Sequence, residues 1–195
     1  MDDPALLDLC RSIYRDHRAA IDRIVQAQGA QGLYGVTEHL IQLIDSSQTH
    51  GIVAEEHAGR SIIRFADVTL DQAAWMKHGP DDWVESRRSL LFEFHVRRQM
   101  IRLDLVVGTL DPSIRAALTG LCVEPPFLVD ARNSRWQRIF RESMLDAEDF
   151  ERLESGDVSA DDLLGSLSEA WDHFVRRTLP RLRDGLQSLS WSGEA

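Results

Sequence analysis

The chain has 195 residues, 43% of them hydrophobic and 28% charged, and its 32 acids against 22 Lys and Arg give a formal net charge of −10. This composition argues against disorder and fibrous repeats, and the length suits one sizeable core, so a single domain over 1–195 is expected. The acidic balance repels a phosphate backbone, so direct nucleic-acid binding is not expected without a local basic patch.

In chain order, Leu6, Cys10, Ile13, Tyr14, His17, Ile21, Ile24 and Val25 recur at spacings of three and four, which predicts an amphipathic helix from Pro4 to Gln28. Glycines at 29, 32 and 35 punctuate its end, and a second helix is expected near Val36 to Asp45. The period then shortens to two residues. Stretches 52–57 and 61–65 flank Ala58-Gly59-Arg60 as a β-hairpin, and 90–96 and 100–107 form a second pair around the turn at Arg97-Arg98-Gln99. Between the pairs, Trp75 and Trp83 lie in a polar stretch interrupted by Gly79-Pro80, read as a short helix and a loop.

Asp111-Pro112-Ser113 has the form of a helix N-terminus leading into Ile114 to Leu121, and Pro125-Pro126 ends that element. Phe127 to Asp130 reads as a short fifth strand, whereas Trp136 to Leu145 matches neither period. From Ser159 the apolar spacing is again helical, and Pro180 is expected to break or kink the helix. The expected class is α+β: an antiparallel sheet of about four to five strands flanked by N-terminal and C-terminal helices. The parts are helical 1–48, strands and connecting helices 50–130, and helical 131–190.

Motifs for chemistry are sparse. There is no GxxxxGK[ST], HExxH or GxSxG, and the seven histidines at 17, 39, 50, 57, 78, 95 and 173 lack metal-ligand spacing. His17 and His95 read as hydrogen-bonded core or interface residues, and Cys10 and Cys122 as ordinary buried thiols. No metal or cofactor is expected. No apolar run approaches the roughly 20 residues of a membrane helix, and Met1-Asp2-Asp3-Pro4 lacks the basic start of a signal peptide. A soluble, cytoplasmic protein without membrane association is therefore expected.

Glu93 and Asp104 fall on neighbouring strands of the second pair, close enough in principle to hold Mg or Mn. The alternative catalytic set is thus Glu93, His95 and Asp104. A metal nuclease usually adds a lysine two residues after the strand acid, and here that position is His95. The only lysine, Lys77, follows Trp75-Met76.

Three stretches are jointly suggestive: Tyr14-Arg15-Asp16-His17-Arg18-Ala19-Ala20-Ile21-Asp22, the strand region Leu90-Leu91-Phe92-Glu93-Phe94 with its partner and Gly108, and Trp171 to Pro180. Together they resemble the part that follows the catalytic core in a bacterial family of PD-(D/E)XK nuclease superfamily proteins. In that family a YxxHxxAID-like helix leaves the core, strands reading like LxFE and LxLxLxxG follow, and a helix with an FVxxxLP-like ending closes the chain. The resemblance implies an accessory C-terminal region, because the family's Asp and (Asp/Glu)-x-Lys pair is not matched in this chain and lies before the region resembled.

The expected function is therefore a noncatalytic accessory or protein-interaction domain of a bacterial nuclease or defence-type system, with Trp75 and Trp83 as interaction residues. The alternative is a divergent divalent-metal-dependent nuclease using Glu93 and Asp104. Acidic mimicry of nucleic acid, which the net charge permits, is weighed down by acids dispersed among arginines along the whole chain.

Overall fold

The computed structural model describes residues 12–18, 35–56, 61–73, 76, 83–110, 112–122, 124–128 and 136–189. The chain forms two compact units, Met1–Val36 and Thr37–Ala195. In the first, residues 12–18 are helical, and Ile13 and Tyr14 of the predicted apolar stripe are 46% and 45% exposed. His17, expected in a core or an interface, is exposed as well. Cys10 and the rest of that predicted helix lie outside the described residues.

The second unit is built on five strands: β1 (Ile52–Ala54), β2 (Ile62–Asp67), β3 (Leu90–Arg97), β4 (Met100–Val107) and β5 (Gln137–Leu145). They pair antiparallel in the order β1-β2-β3-β4-β5. Helix α1, over residues 35–46, precedes the sheet and α2 (Pro112–Leu121) connects β4 to β5. Then α3 (Ala147–Ser155), α4 (Ala160–His173) and α5 (Leu179–Gln187) follow β5, so the α+β class holds with helices flanking the strands. Among the described residues no helix is long and apolar enough to cross a membrane.

Successive strand residues point to opposite faces, and the register sorts them. Phe65 stands opposite Phe92, Phe92 opposite Leu105, and Leu105 opposite Phe140, so one face is a continuous apolar surface. Trp171 and Phe174 cover it: the Trp171 ring lies 5.4 Å from that of Phe65 and 5.4 Å from that of Phe174, which sits 5.5 Å from Phe92. Offset and edge contacts of this kind add to the burial of the rings. The buried indole N–H of Trp171 donates to Ser47 Oγ at 3.0 Å, fixing the end of α1 against α4.

Local sequence explains the boundaries. Ser159 caps α4 through the backbone N–H of Asp162, whose carboxylate accepts from the Ser159 N–H in return. Asp146 and Asp149 form the same reciprocal cap on α3, which lies within the stretch 131–190 expected to be helical. Gly51, at φ 80°, closes the short turn before β1 in a conformation that side-chain-bearing residues rarely adopt.

One expectation for the C-terminal third is corrected and another is narrowed. The fifth strand of the sheet is β5, inside the stretch 131–190 expected to be helical, and Phe127 and Leu128 are not part of a strand. Leu128 contributes one backbone hydrogen bond, to the Ile139 carbonyl at 2.9 Å, and residues 129–130 lie outside the described set. The β4–β5 register shifts between Ile101 and Arg102 and again between Leu105 and Val106. Irregularities of this kind place Ile139 and Phe140, and likewise Met144 and Leu145, as adjacent buried pairs, which erases the two-residue period. Of the two outcomes expected at Pro180, a break or a kink, the break does not occur. The chain widens into a π turn at Phe174–Thr178 and continues as α5, accommodating the N–H that proline cannot supply.

Candidate functional site

The opposite face of the sheet carries the side chains of Arg64, Glu93, His95, Arg102, Asp104, Arg138 and Arg141. Their positions follow from the alternation: Arg64 pairs with Glu93, Glu93 with Asp104, and Asp104 with Arg141 across β2, β3, β4 and β5. Glu93 and Asp104 thus share one face at directly opposed positions, as the sequence-derived alternative requires, and His95 joins them. Its Nε2 lies 3.3 Å from Glu93 Oε2 and 3.4 Å from Asp104 Oδ2.

Both acids are already engaged by guanidinium groups. Arg64 Nε donates to Glu93 Oε1 at 2.9 Å. Asp104, whose side chain is 1% exposed, accepts from Arg138 Nε at 2.8 Å on Oδ2, from Arg141 Nε at 3.0 Å on Oδ1, and from Arg102 Nε at 3.2 Å on Oδ2. Burial works to raise the Glu93 carboxyl, but hydrogen bonds from His95 and Arg64 outweigh it and hold the group below the ordinary glutamate range. Burial pushes the Arg102 guanidinium below its usual value, and the like charges of Arg141 and Arg138 act in the same direction against the attraction of Asp104. Three guanidinium groups therefore converge on the Asp104 carboxylate. Among the described residues, no group of three or more His, Cys, Asp or Glu side chains is placed to hold a metal ion.

Next to this polar array the face is apolar. Trp83 and Val84 pack on Ala66, Leu91 and Val106, with Val53 and Trp136 alongside. The two indoles are 4.7 Å apart at a 46° tilt, and the Arg64 guanidinium stands 6.0 Å from the Trp83 ring centre while donating to the Trp83 carbonyl at 3.3 Å. Gly108 makes this possible: a Cβ there would come within 2.6 Å of the Trp83 ring and 3.1 Å of Trp136. Arg88 ties down the segments around the cluster by donating to both Asp71 oxygens, at 2.8 and 2.6 Å, and to Glu55. Between the polar and apolar halves opens a concavity of about 530 Å³, lined among others by Arg64, Trp83, Glu93, His95, Trp136 and Arg138.

Of the interaction residues expected from sequence, Trp83 is 7% exposed, its ring lying on the sheet while lining this concavity. Trp75 and Lys77 lie outside the described residues. Glu93, His95 and Asp104 are brought together. What the sequence did not single out is their surroundings: Arg64, Arg138, Arg141 and Trp136. Arg64, between inward Ile63 and Phe65, was legible from alternation, but Arg138 and Arg141 are three apart and share a face only through the irregular β5 register. Comparison with family models, with curated proteins and with solved structures finds no match to this chain.

Proposed function

We propose that this chain is a noncatalytic accessory domain that engages a protein partner, in the setting of a bacterial nuclease or defence-type assembly to which its three sequence stretches bear resemblance. One observation carries the noncatalytic part: the acids that would do chemistry are ligands of guanidinium groups, with Asp104 accepting from Arg102, Arg138 and Arg141. A carboxylate so engaged organises cations and is a poor base or metal ligand. The partner part rests on the sequence resemblance.

The test has two arms. Calorimetric titration with Mn²⁺ and a plasmid-cleavage assay in Mg²⁺ and Mn²⁺ are expected to show neither binding nor cutting. Crosslinking followed by mass spectrometry on the tagged full chain in its native host is expected to recover a defined protein carrying a nuclease core, and crosslinks spread over unrelated abundant proteins would sink the partner reading.

A second reading has the shared face of Glu93 and Asp104 in its favour. It is a divergent divalent-metal-dependent nuclease with Glu93, Asp104 and His95 around Mg or Mn. It requires the arginines to yield their carboxylate oxygens to the cation. Metal-dependent cleavage that disappears in Glu93→Gln would establish it in place of the first.

A further inference from the structure

We propose that the concavity on the open face of the sheet binds an uncharged planar heteroaromatic molecule carrying a ring N–H, of the nucleobase or indole kind, with His95 as its hydrogen-bond acceptor. This goes beyond the partner-binding reading and does not depend on it.

Charge disfavours an ionised ligand. The lining holds two acids and two arginines, and they face one another: Arg64 Nε donates to Glu93 at 2.9 Å, and Arg138 Nε to Asp104 at 2.8 Å, with a further interaction of Arg138 besides. An anion entering here would meet carboxylates and a cation would meet guanidinium groups, and either would leave water without a counter-charge of its own. An uncharged ligand meets neither cost. His95 supplies the polar anchor. Its Nε2 lies 3.3 Å from Glu93 Oε2 and 3.4 Å from Asp104 Oδ2. Two acceptor oxygens about one ring nitrogen assign the hydrogen of the neutral imidazole to Nε2, which leaves Nδ1 as an acceptor. Among the described residues nothing donates to Nδ1. Nor is Nδ1 shut away, because the buried side-chain N or O without a hydrogen bond among the described residues is Ser86 Oγ. The His95 side chain is 14% exposed and lines the concavity, so a ligand there can reach it.

Shape points to the ring. The volume of about 530 Å³ falls within the range of small-ligand sites, and Trp83, Trp136 and Val106 supply an apolar wall. Indoles favour a flat π-system over an aliphatic chain. Strand register places the anchor beside apolar surface: Ile62, which also lines the concavity, stands directly opposite His95 across β2 and β3. A flat ring against these apolar side chains can therefore turn one polar edge toward the imidazole.

The experiment is calorimetric titration of the full chain with indole and with uracil, at about pH 8, where imidazole side chains are ordinarily neutral. Each ring is compared with its N-methylated form, 1-methylindole or 1,3-dimethyluracil, and with its anionic form, indole-3-acetate or orotate. At least one of the two parent rings should bind with a Kd below about 1 mM, and about tenfold more tightly than its methylated and anionic forms. Binding of indole alone identifies a fused, largely apolar ring as the ligand, and of uracil alone a pyrimidine-like one. His95→Phe, which keeps a flat ring and removes the acceptor, should weaken binding about tenfold. Should that variant fail to fold, the methylated probes put the same question to the parent protein. The proposal is overturned if neither parent ring reaches about 1 mM, if a methylated or anionic form binds as tightly as its parent ring, or if a natively folded His95→Phe binds like the parent protein. None of these failures touches the partner-binding reading, which is decided by crosslinking.

Discussion

The two faces of the sheet solve burial in opposite ways. Beneath α4 and α5, Phe65, Phe92, Phe94 and Phe140 meet Trp171 and Phe174, and the face is held by apolar area and ring geometry. On the open face, Arg64, Glu93, Arg102, Asp104 and Arg138 are half-buried to buried charges, joined by the more exposed Arg141, and their placement depends on one another. Apolar packing of the first kind tolerates change in proportion to volume lost, whereas a charge network fails when a single member goes, because its partners stay behind desolvated. The first face makes the fold. The second holds its charged side chains through one another.

The sharpest way to break this comparison is Trp171→Ala, which removes the ring that joins α1, α4 and the sheet. A loss of about 3–5 kcal/mol in urea unfolding is expected. Asp104→Asn should come next, at about 3 kcal/mol, because three buried or half-buried charge-assisted hydrogen bonds would lose their shared carboxylate. If Asp104→Asn cost less than about 0.5 kcal/mol, the network on the open face would be decoration and the contrast would collapse.

Gly108→Ala is a smaller and more local probe. Its Cβ would push into the Trp83 ring, so a cost of about 1–3 kcal/mol is expected, together with a shift in tryptophan emission as the pair with Trp136 opens. An unchanged spectrum would mean that the two indoles do not depend on this contact.

Acid titration separates the faces by sign. The Glu93 carboxyl sits below its ordinary value in the fold, so its contribution is present above the unfolded value of about 4.5 and is lost as pH falls through the lower folded value. Stability of the parent protein should therefore decline more steeply than that of Glu93→Gln from about pH 4.5 downward. Glu142, on the helix-covered face, behaves oppositely. Burial pushes its carboxyl up against the opposing effects of Thr178 and His173, so the fold favours its protonated form and loses that advantage as pH rises through the raised value. Glu142→Gln should give the smallest effect of the series, a modest rise in the urea midpoint that is larger at pH 7 than at pH 4.

How much of this was legible depended on whether the signal was local. In β3 and β4 strict alternation showed both the strands and their inward residues, so Ile101, Leu103 and Leu105 were placed on one face before any coordinates. Asp111-Pro112-Ser113 pointed to the start of α2 at Pro112, and the apolar spacing from Ser159 to the start of α4, because both signals are written in nearby residues. β5 was illegible for a physical reason: the register shifts that bring Arg138 and Arg141 to one face also destroy the period from which a strand is read. For the candidate site, Glu93, His95 and Asp104 were visible as neighbours on a hairpin, and the arginines that occupy the carboxylate oxygens were not.

By itself the amino-acid order determined the α+β class, the two central hairpins and the convergence of Glu93 with Asp104, since each follows from period, capping or register between strands adjacent in the chain. The tertiary structure alone decided that β5 closes the sheet edge, that three arginines gather on Asp104, and that Trp83 and Trp136 meet over Gly108. Apart from Arg102 with Asp104, those contacts join residues far apart along the chain, and only the folded sheet brings them within reach of one another.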